Sequence, residues 1–198
     1  MINVTIGDVE IKWGDEVYQL HPSFFSMQRL GTPKELMLTA EFCITGLVNF
    51  ERGLNVLKAE ISSCMEMISA CCDSNMPDEL LGYFDENGSY IEGAIIMNDL
   101  LVLANHLVKY GINGEPSQYM IRRAQKHNKG QQTDFDPLAF VYSAIVHLGV
   151  SREEAWRMNM LEYQRAMEAK FPPDDKEKAP SMTNSDLTAL KKRLKRGR

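Results

Sequence analysis

The spacing of apolar residues changes once along this chain, and that change limits the folds it can adopt. Between residues 4 and 20 apolar and polar residues alternate, with turn-forming residues at 7–8 and 14–16. Alternation places every second side chain on the same face of a strand, so this part predicts an antiparallel hairpin or a three-stranded sheet. From Thr32 onward the apolar residues stand three and four positions apart, which predicts helices. We therefore expect a mainly α fold with a small N-terminal antiparallel β-sheet.

Helix start and stop signals divide the remainder of the chain. Ser23 can cap a short helix that ends at Gly31, and Thr32, Pro33 and Glu35 begin the first long helix. Later helical segments are predicted at about residues 54–72, 90–110, 138–148 and 152–171, and a short helix is predicted to start at residues 77–79, before the turn at residue 85. The helix that begins at Thr32 and the segment at 54–72 form either a helical hairpin or one long kinked helix.

The predicted boundaries of the later helices rest on single residues. Gly111 is expected to end the 90–110 helix, and Asp134 or Asp136 to cap the 138–148 helix. The apolar face of that helix includes Leu138, Tyr142 and Val146. Ser151 and Glu154 form a capping box that begins the last helix. Residues 114–133 have no helical spacing and predict a long loop.

The last eight residues differ in charge from everything before them. Six of them are Lys or Arg, and removing these from the net charge of −5 leaves −11 on residues 1–190. We expect three parts: the sheet with a short helix at 1–31, a helical bundle at 32–172, and a linker with a disordered, basic, amphipathic tail at 173–198. The tail residues predicted to contact a partner are Leu187, Leu190, Leu194, Lys191, Lys192 and Arg193.

No sequence motif indicates catalysis, a metal or a cofactor. Cys64, Cys71 and Cys72 lack the paired spacing of a zinc site, so we expect all four cysteines to be reduced, buried thiols. The loop from residue 85 is no calcium site, because Tyr90 stands where glycine is needed and Ile96 where glutamate is needed. HExxH, phosphate-loop and GxSxG patterns are absent. We expect a protein that is not an enzyme.

Methionines on helical faces are the sequence feature that most favours a binding role. Their flexible, polarizable side chains suit surfaces that accept varied apolar helices, although most of them also suit a core. Trp156, Met158 and Met160 are the candidate partner-binding residues of the body. The alternative is that Trp156 is simply a core residue.

Two segments resemble tail assembly chaperones of tailed bacteriophages and their relatives in gene-transfer particles. GDEVYQLHPSFFSM at residues 14–27 is similar to that family's opening, a strand followed by Leu-Arg-Pro-Ser-Phe and a helix, with His21 in place of the usual arginine. LGVSREEAWRMNMLEY at residues 148–163 is similar to the family's late pair of helices. Together they cover about 30 residues, and the middle of the chain resembles no family.

This resemblance implies a mainly helical protein of the host cell cytoplasm that is absent from the mature virion. Such proteins coat the apolar helices of the tape measure protein and recruit tail tube subunits. In many of these families a ribosomal frameshift near the end of the gene adds an extension, and consecutive Lys191-Lys192 codons would suit a slippery site.

The residues leave other roles open. A small regulatory or nucleic-acid-binding phage protein would act through the basic tail, and a homo-oligomer is compatible with either role. The first residues do not read as a secretory signal, and no run of about 18 apolar residues occurs, so we expect no membrane partner.

Overall fold

A computed structural model describes residues 2–5, 7–45, 54–115 and 135–172, and most of these residues are helical. The predicted class, mainly α with a small N-terminal antiparallel sheet, is confirmed. The predicted loop from residue 116 and the predicted tail lie outside the described residues. No helix in the described ranges is long and apolar enough to span a membrane.

The N-terminal sheet has the three strands that the alternating pattern predicts. Strands β1 (Ile2–Thr5), β2 (Asp8–Trp13) and β3 (Glu16–Leu20) pair antiparallel in the order β1-β2-β3. Leu20 is fully buried and pairs with Cys72, so the end of β3 is joined to the helical part. The sheet is therefore packed into the body of the protein.

The helices begin largely where their caps predict. Helix α1 (Phe24–Gln28) starts after Ser23, whose hydroxyl accepts a hydrogen bond from the Ser26 amide at 3.1 Å. The helices that follow in chain order are α2 (Pro33–Thr45), α3 (Leu54–Cys71), α4 (Asp78–Leu81), α5 (Met97–Val108), α6 (Pro137–Leu148), α7 (Arg152–Arg157) and α8 (Met160–Lys170). Asp136, and not Asp134, caps α6, and Gly149 ends it with a φ of 75°.

Two groups of helices share one hydrophobic core. Helices α2, α3 and α5 pack against one another, which is the hairpin alternative for the first two. Helix α1 packs against α6 and α7, and α8 packs against α6. The four cysteines are free and buried in this core, as expected. No cluster of potential metal ligands occurs among the described residues.

The predicted helix at 90–110 is wrong at its start. Tyr90–Ile91 forms a short strand, β5, that pairs with β4 (Tyr83–Phe84) around the turn at Asp85. Gly93 lies so close to α4 that a Cβ there would be 2.5 Å from the Leu80 carbonyl oxygen. The next two amides donate to carbonyl oxygens of α4. These tertiary bonds keep residues 90–95 out of a helix, and α5 begins only at residue 97.

The end of this helix is also displaced. Gly111 does not stop the chain, because residues Lys109–Asn113 continue as one π-helical turn and Gly114 ends it with a φ of 63°. A Cβ on Gly111 would be 2.9 Å from Met27 and 3.2 Å from the Pro22 carbonyl oxygen. Glycine is therefore needed there for close packing against α1.

Helix α6 buries a narrower face than its sequence predicts. Val141 and Ala144 are buried, whereas Leu138, Tyr142 and Val146 are 38%, 53% and 74% exposed. A helix that is apolar on most of its circumference gives no periodic signal for which side faces the core. These three exposed residues form a stripe at four-residue spacing.

The predicted helix at 152–171 is two helices. Asn159 caps α8, its side chain accepting from the Glu162 amide at 2.9 Å while the Glu162 carboxylate accepts from the Asn159 amide at 3.0 Å. This is a second capping box, eight residues after the predicted one at Ser151. A helix cannot continue through a capping residue in the extended conformation, so the chain turns here.

Replacing Asn159 with alanine should lower the free energy of unfolding by about 1–2 kcal/mol, because the buried cap of α8 is lost. The matched control is Ser151→Ala at the exposed cap of α7, which should cost less, about 0.5–1 kcal/mol. Urea denaturation of both variants measures the difference. An Asn159 variant as stable as the wild type would contradict the role of this cap.

A groove formed by the two motif segments

The segments at residues 14–27 and 148–163 meet in the folded protein. The Phe24 amide donates to the Met158 carbonyl oxygen at 2.9 Å, and Nε2 of His21 lies 2.6 Å from the Arg157 carbonyl oxygen. In a continuous helix the Met158 carbonyl would accept from Glu162, whose amide instead binds the Asn159 side chain. The break between α7 and α8 thus provides the acceptor that binds the start of α1.

A cluster of aromatic rings packs against this junction on the side that faces the core. Phe24 is fully buried, stacks on Phe140 with ring centroids 5.6 Å apart, and meets Tyr163 edge-on at 6.0 Å. Phe135 lies 6.5 Å from the same ring. Aromatic pairs at these distances add stability beyond the area they bury. The junction is therefore held rigidly against the core.

Above the junction lies an open groove of about 1100 Å³ between β2, β3, α1 and α7. Phe25 and Trp156 stand on its lining with their rings edge to face, 6.3 Å between centroids. Phe25 is 57% exposed and Trp156 is partly buried. Two large aromatic side chains beside a groove offer apolar contact area to a partner.

The groove is acidic. Its lining includes the carboxylates of Asp8, Glu10, Asp73 and Glu153 but only two guanidinium groups, those of Arg152 and Arg157. Arg157 is paired with Glu153 at 2.8 Å. Glu10 and Asp73 form no ion pair with any described residue. The groove therefore favours ligands that bring positive charge next to apolar groups.

The contacts of His21 in the groove favour the charged form of its imidazole. Nδ1 of its ring contacts the Asp8 carboxylate, and Nε2 contacts the Arg157 carbonyl oxygen. Both partners accept hydrogen bonds, so only the doubly protonated, charged imidazole satisfies both. The hydrogen bond to Asp8 is the main cause that raises the pKa of His21, burial opposes it, and the Arg157 carbonyl raises it further.

The protein should lose stability as the pH rises through the folded-state pKa of His21. Because that pKa lies above the unfolded value of 6.5, the stabilisation is fully present below about pH 6.5 and disappears above the raised value. Urea denaturation of the wild type and of Asp8→Asn between about pH 5.5 and pH 8.5 measures the effect. The asparagine variant should show a flatter pH dependence.

An arginine at position 21 provides the complementary control. Arginine stays charged throughout this range and carries several donors, so His21→Arg should remove the dependence on pH. Equal slopes in the wild type and in both variants would mean that His21 does not titrate in this range.

The structure separates the candidate residues of the body. Trp156 lines the groove, and Met158 is partly buried with its carbonyl oxygen bound to α1. Met160 is only 4% exposed and packs in the core, so it does not line the groove. The tail candidates Leu187, Leu190, Leu194, Lys191, Lys192 and Arg193 lie outside the described residues.

Sequence reasoning missed Phe25 and the acidic lining. Local sequence did not mark Phe25 as exposed, because adjacent helical residues can both be buried, as Leu100 and Leu101 are. The carboxylates had no local signal either. They come from β2, from the segment after α3 and from α7, and only the fold brings them together.

Comparison with known proteins finds one family. Residues 20–187 match a family described as a family of unknown function (DUF6246). No curated protein and no solved structure matches the chain.

Proposed function

The chain belongs to the DUF6246 family, whose function is unknown, so its role has to be inferred from the groove, and we propose that it is a phage tail assembly chaperone. It binds apolar helices of the tape measure protein in the groove and recruits tail tube subunits through its C-terminal tail. It acts in the host cell cytoplasm, leaves before the virion is complete, and catalyses no reaction.

One observation carries this proposal. The two segments that resemble tail assembly chaperones come from opposite ends of the chain, yet they form the two walls of a single groove. If the two segments met only to complete the hydrophobic core, their large aromatic side chains would be expected to be buried. Phe25 and Trp156 remain at the surface of the groove, side by side.

The chemistry of the groove suits a helix as the client. An amphipathic helix can place apolar side chains on the aromatic pair every three or four residues. Tryptophan is frequent among the residues that contribute most to binding energy. Lysine or arginine residues on the flanks of such a helix would face Glu10 and Asp73 at the rim.

The experiment is copurification of the full chain with fragments of the tape measure protein encoded beside it, followed by a measurement of Kd. Trp156→Ala should weaken binding at least tenfold, since a central aromatic contact is lost. The matched control is Val146→Ala, which removes an exposed apolar side chain on α6 outside the groove and should leave Kd unchanged. Circular dichroism confirms that both variants fold.

Two results would contradict the proposal. One is a wild-type chain that binds no tape measure fragment. The other is a folded Trp156 variant with the Kd of the wild type, which would remove the groove as the binding site.

A second candidate, nucleic-acid binding through the tail, is favoured by the six cationic side chains among the last eight residues. Such binding would weaken steeply with salt and would disappear on truncation after Lys178. The −11 charge of residues 1–190 opposes any larger nucleic-acid contact. DNA or RNA binding that survives the truncation would dismiss this role for the tail.

A further inference from the structure

We propose that the chain's own C-terminal segment, residues 185–198, occupies the groove when no client is bound. This inference uses the site of the proposed function and extends it to regulation, because a tail in the groove would compete with a client helix. It needs no tape measure protein, so each proposal can fail without the other.

Apolar contacts give the first argument. Leu187, Leu190 and Leu194 are spaced three and four residues apart, which is one side of a helix. The groove presents Phe25 and Trp156 as adjacent aromatic surfaces without a covering element among the described residues. A short helix with a leucine stripe can cover both rings.

Charge gives the second argument. The segment carries six cationic side chains within its last eight residues, and the groove lining carries four carboxylates against two guanidinium groups and the His21 imidazole, which is paired with Asp8. Glu10 and Asp73 have no cationic partner among the described residues, while Glu153 shares Arg157. Oppositely charged surfaces attract at close range, and salt weakens the attraction.

Reach gives the third argument. Helix α8 starts beside the groove at Asn159 and runs for 11 residues, which takes the chain about 16 Å away. The residues from 172 to 185 span up to about 43 Å when extended. The segment can therefore return to the groove of the same molecule without strain.

Photo-cross-linking of the full chain tests this inference. A photoreactive benzoylphenylalanine in place of Phe25 keeps an aromatic ring at the groove, and mass spectrometry identifies the residues to which it becomes joined. We expect cross-links to residues 185–198 in the monomer band, with a yield that falls as sodium chloride is added. The same group in place of Val146, on α6, is the matched control and should give at least tenfold less cross-linking to the tail.

Substitutions in the tail separate specific docking from chance encounters. Changing Leu187, Leu190 and Leu194 to serine, or the six cations to serine, should each lower the yield at position 25 about tenfold. Circular dichroism and urea denaturation of each variant check that the protein remains folded, so that a lower yield reports on docking.

Three results would overturn the inference: no cross-links to the tail, equal yields from positions 25 and 146, or tail cross-links confined to a dimer band. The last would assign the groove to the tail of a second copy. None of these bears on tape measure binding, which is measured separately with Trp156→Ala. Cross-linking without any tape measure binding would instead overturn the proposed function alone.

Discussion

Phe24→Ala is expected to lower the free energy of unfolding by about 3–5 kcal/mol. The Phe24 ring is fully buried and contacts aromatic rings from α6, α8 and the segment before α6. Removing it leaves a cavity that rings held by several elements cannot close. Urea denaturation followed by circular dichroism measures the loss.

The adjacent residue is the matched control for this substitution. Phe25 is 57% exposed and contacts Trp156, so Phe25→Ala should cost less than about 1.5 kcal/mol. Similar losses in the two variants would mean that the buried cluster around Phe24 does not hold the N-terminal segment to α6 and α8.

Gly114→Ala should cost about 2–4 kcal/mol, the second largest effect that we expect. Gly114 has a φ of 63° and a ψ of −160°, a region that residues with a Cβ avoid. A Cβ there would also collide with the Gln164 amide group, lying 2.5 Å from Cδ. Gln164 is 9% exposed and donates to the Asn113 carbonyl oxygen at 3.2 Å, so it has little room to move.

Gly149 separates the two causes of this loss. It also has a positive φ, 75°, but a Cβ on it would meet nothing within 4 Å. Gly149→Ala should therefore cost only about 1 kcal/mol, the backbone part alone. Thermal and urea denaturation of both variants compare these values, and equal losses would show that crowding by Gln164 contributes nothing.

A double-mutant cycle gives the size of the steric part. Gln164→Ala should cost less in the Gly114→Ala background than in the wild type, because it removes the group with which the new Cβ collides. We expect a coupling energy of about 1 kcal/mol or more. Strictly additive losses would contradict the collision.

The elements predicted correctly from sequence are those whose signals are local. Alternation between residues 4 and 20 specifies the sheet, and the hydroxyls of Ser23 and Ser151 cap helices at the predicted positions. The capping bonds join residues three positions apart, and each strand pairs with the strand next to it in the sequence across a short turn. Such bonds form in the same way whatever the rest of the chain does.

Two of the incorrect predictions concern residues whose structure depends on distant contacts. Residues 90–95 are kept out of a helix by hydrogen bonds to α4, and Gly111 packs closely against Met27 of α1. Neither contact can be recognised from the spacing of apolar residues nearby in the sequence. The break at Asn159 is different, because its capping box with Glu162 is local and could have been recognised from the sequence.

The candidate site was predictable only in part. Trp156 could be chosen because a large aromatic residue stands out in a short helix. Met160, four residues later, could be recognised as a core residue only from its burial in the fold. The acidic lining depends on strands and helices that meet only in the fold. The sequence therefore indicated Trp156 on α7 as a groove residue but did not indicate the acidic charge of the groove.

The hydrogen bond between Phe24 and Met158 joins residues far apart in the sequence. A ribosome makes Phe24 first and Met158 only after the whole segment between them has been synthesised. Helix α1 can therefore pack against α7 and α8 only after both of these helices have left the ribosome. A groove with both walls in place therefore exists only in chains that have been synthesised through α7, and shorter nascent chains lack one wall.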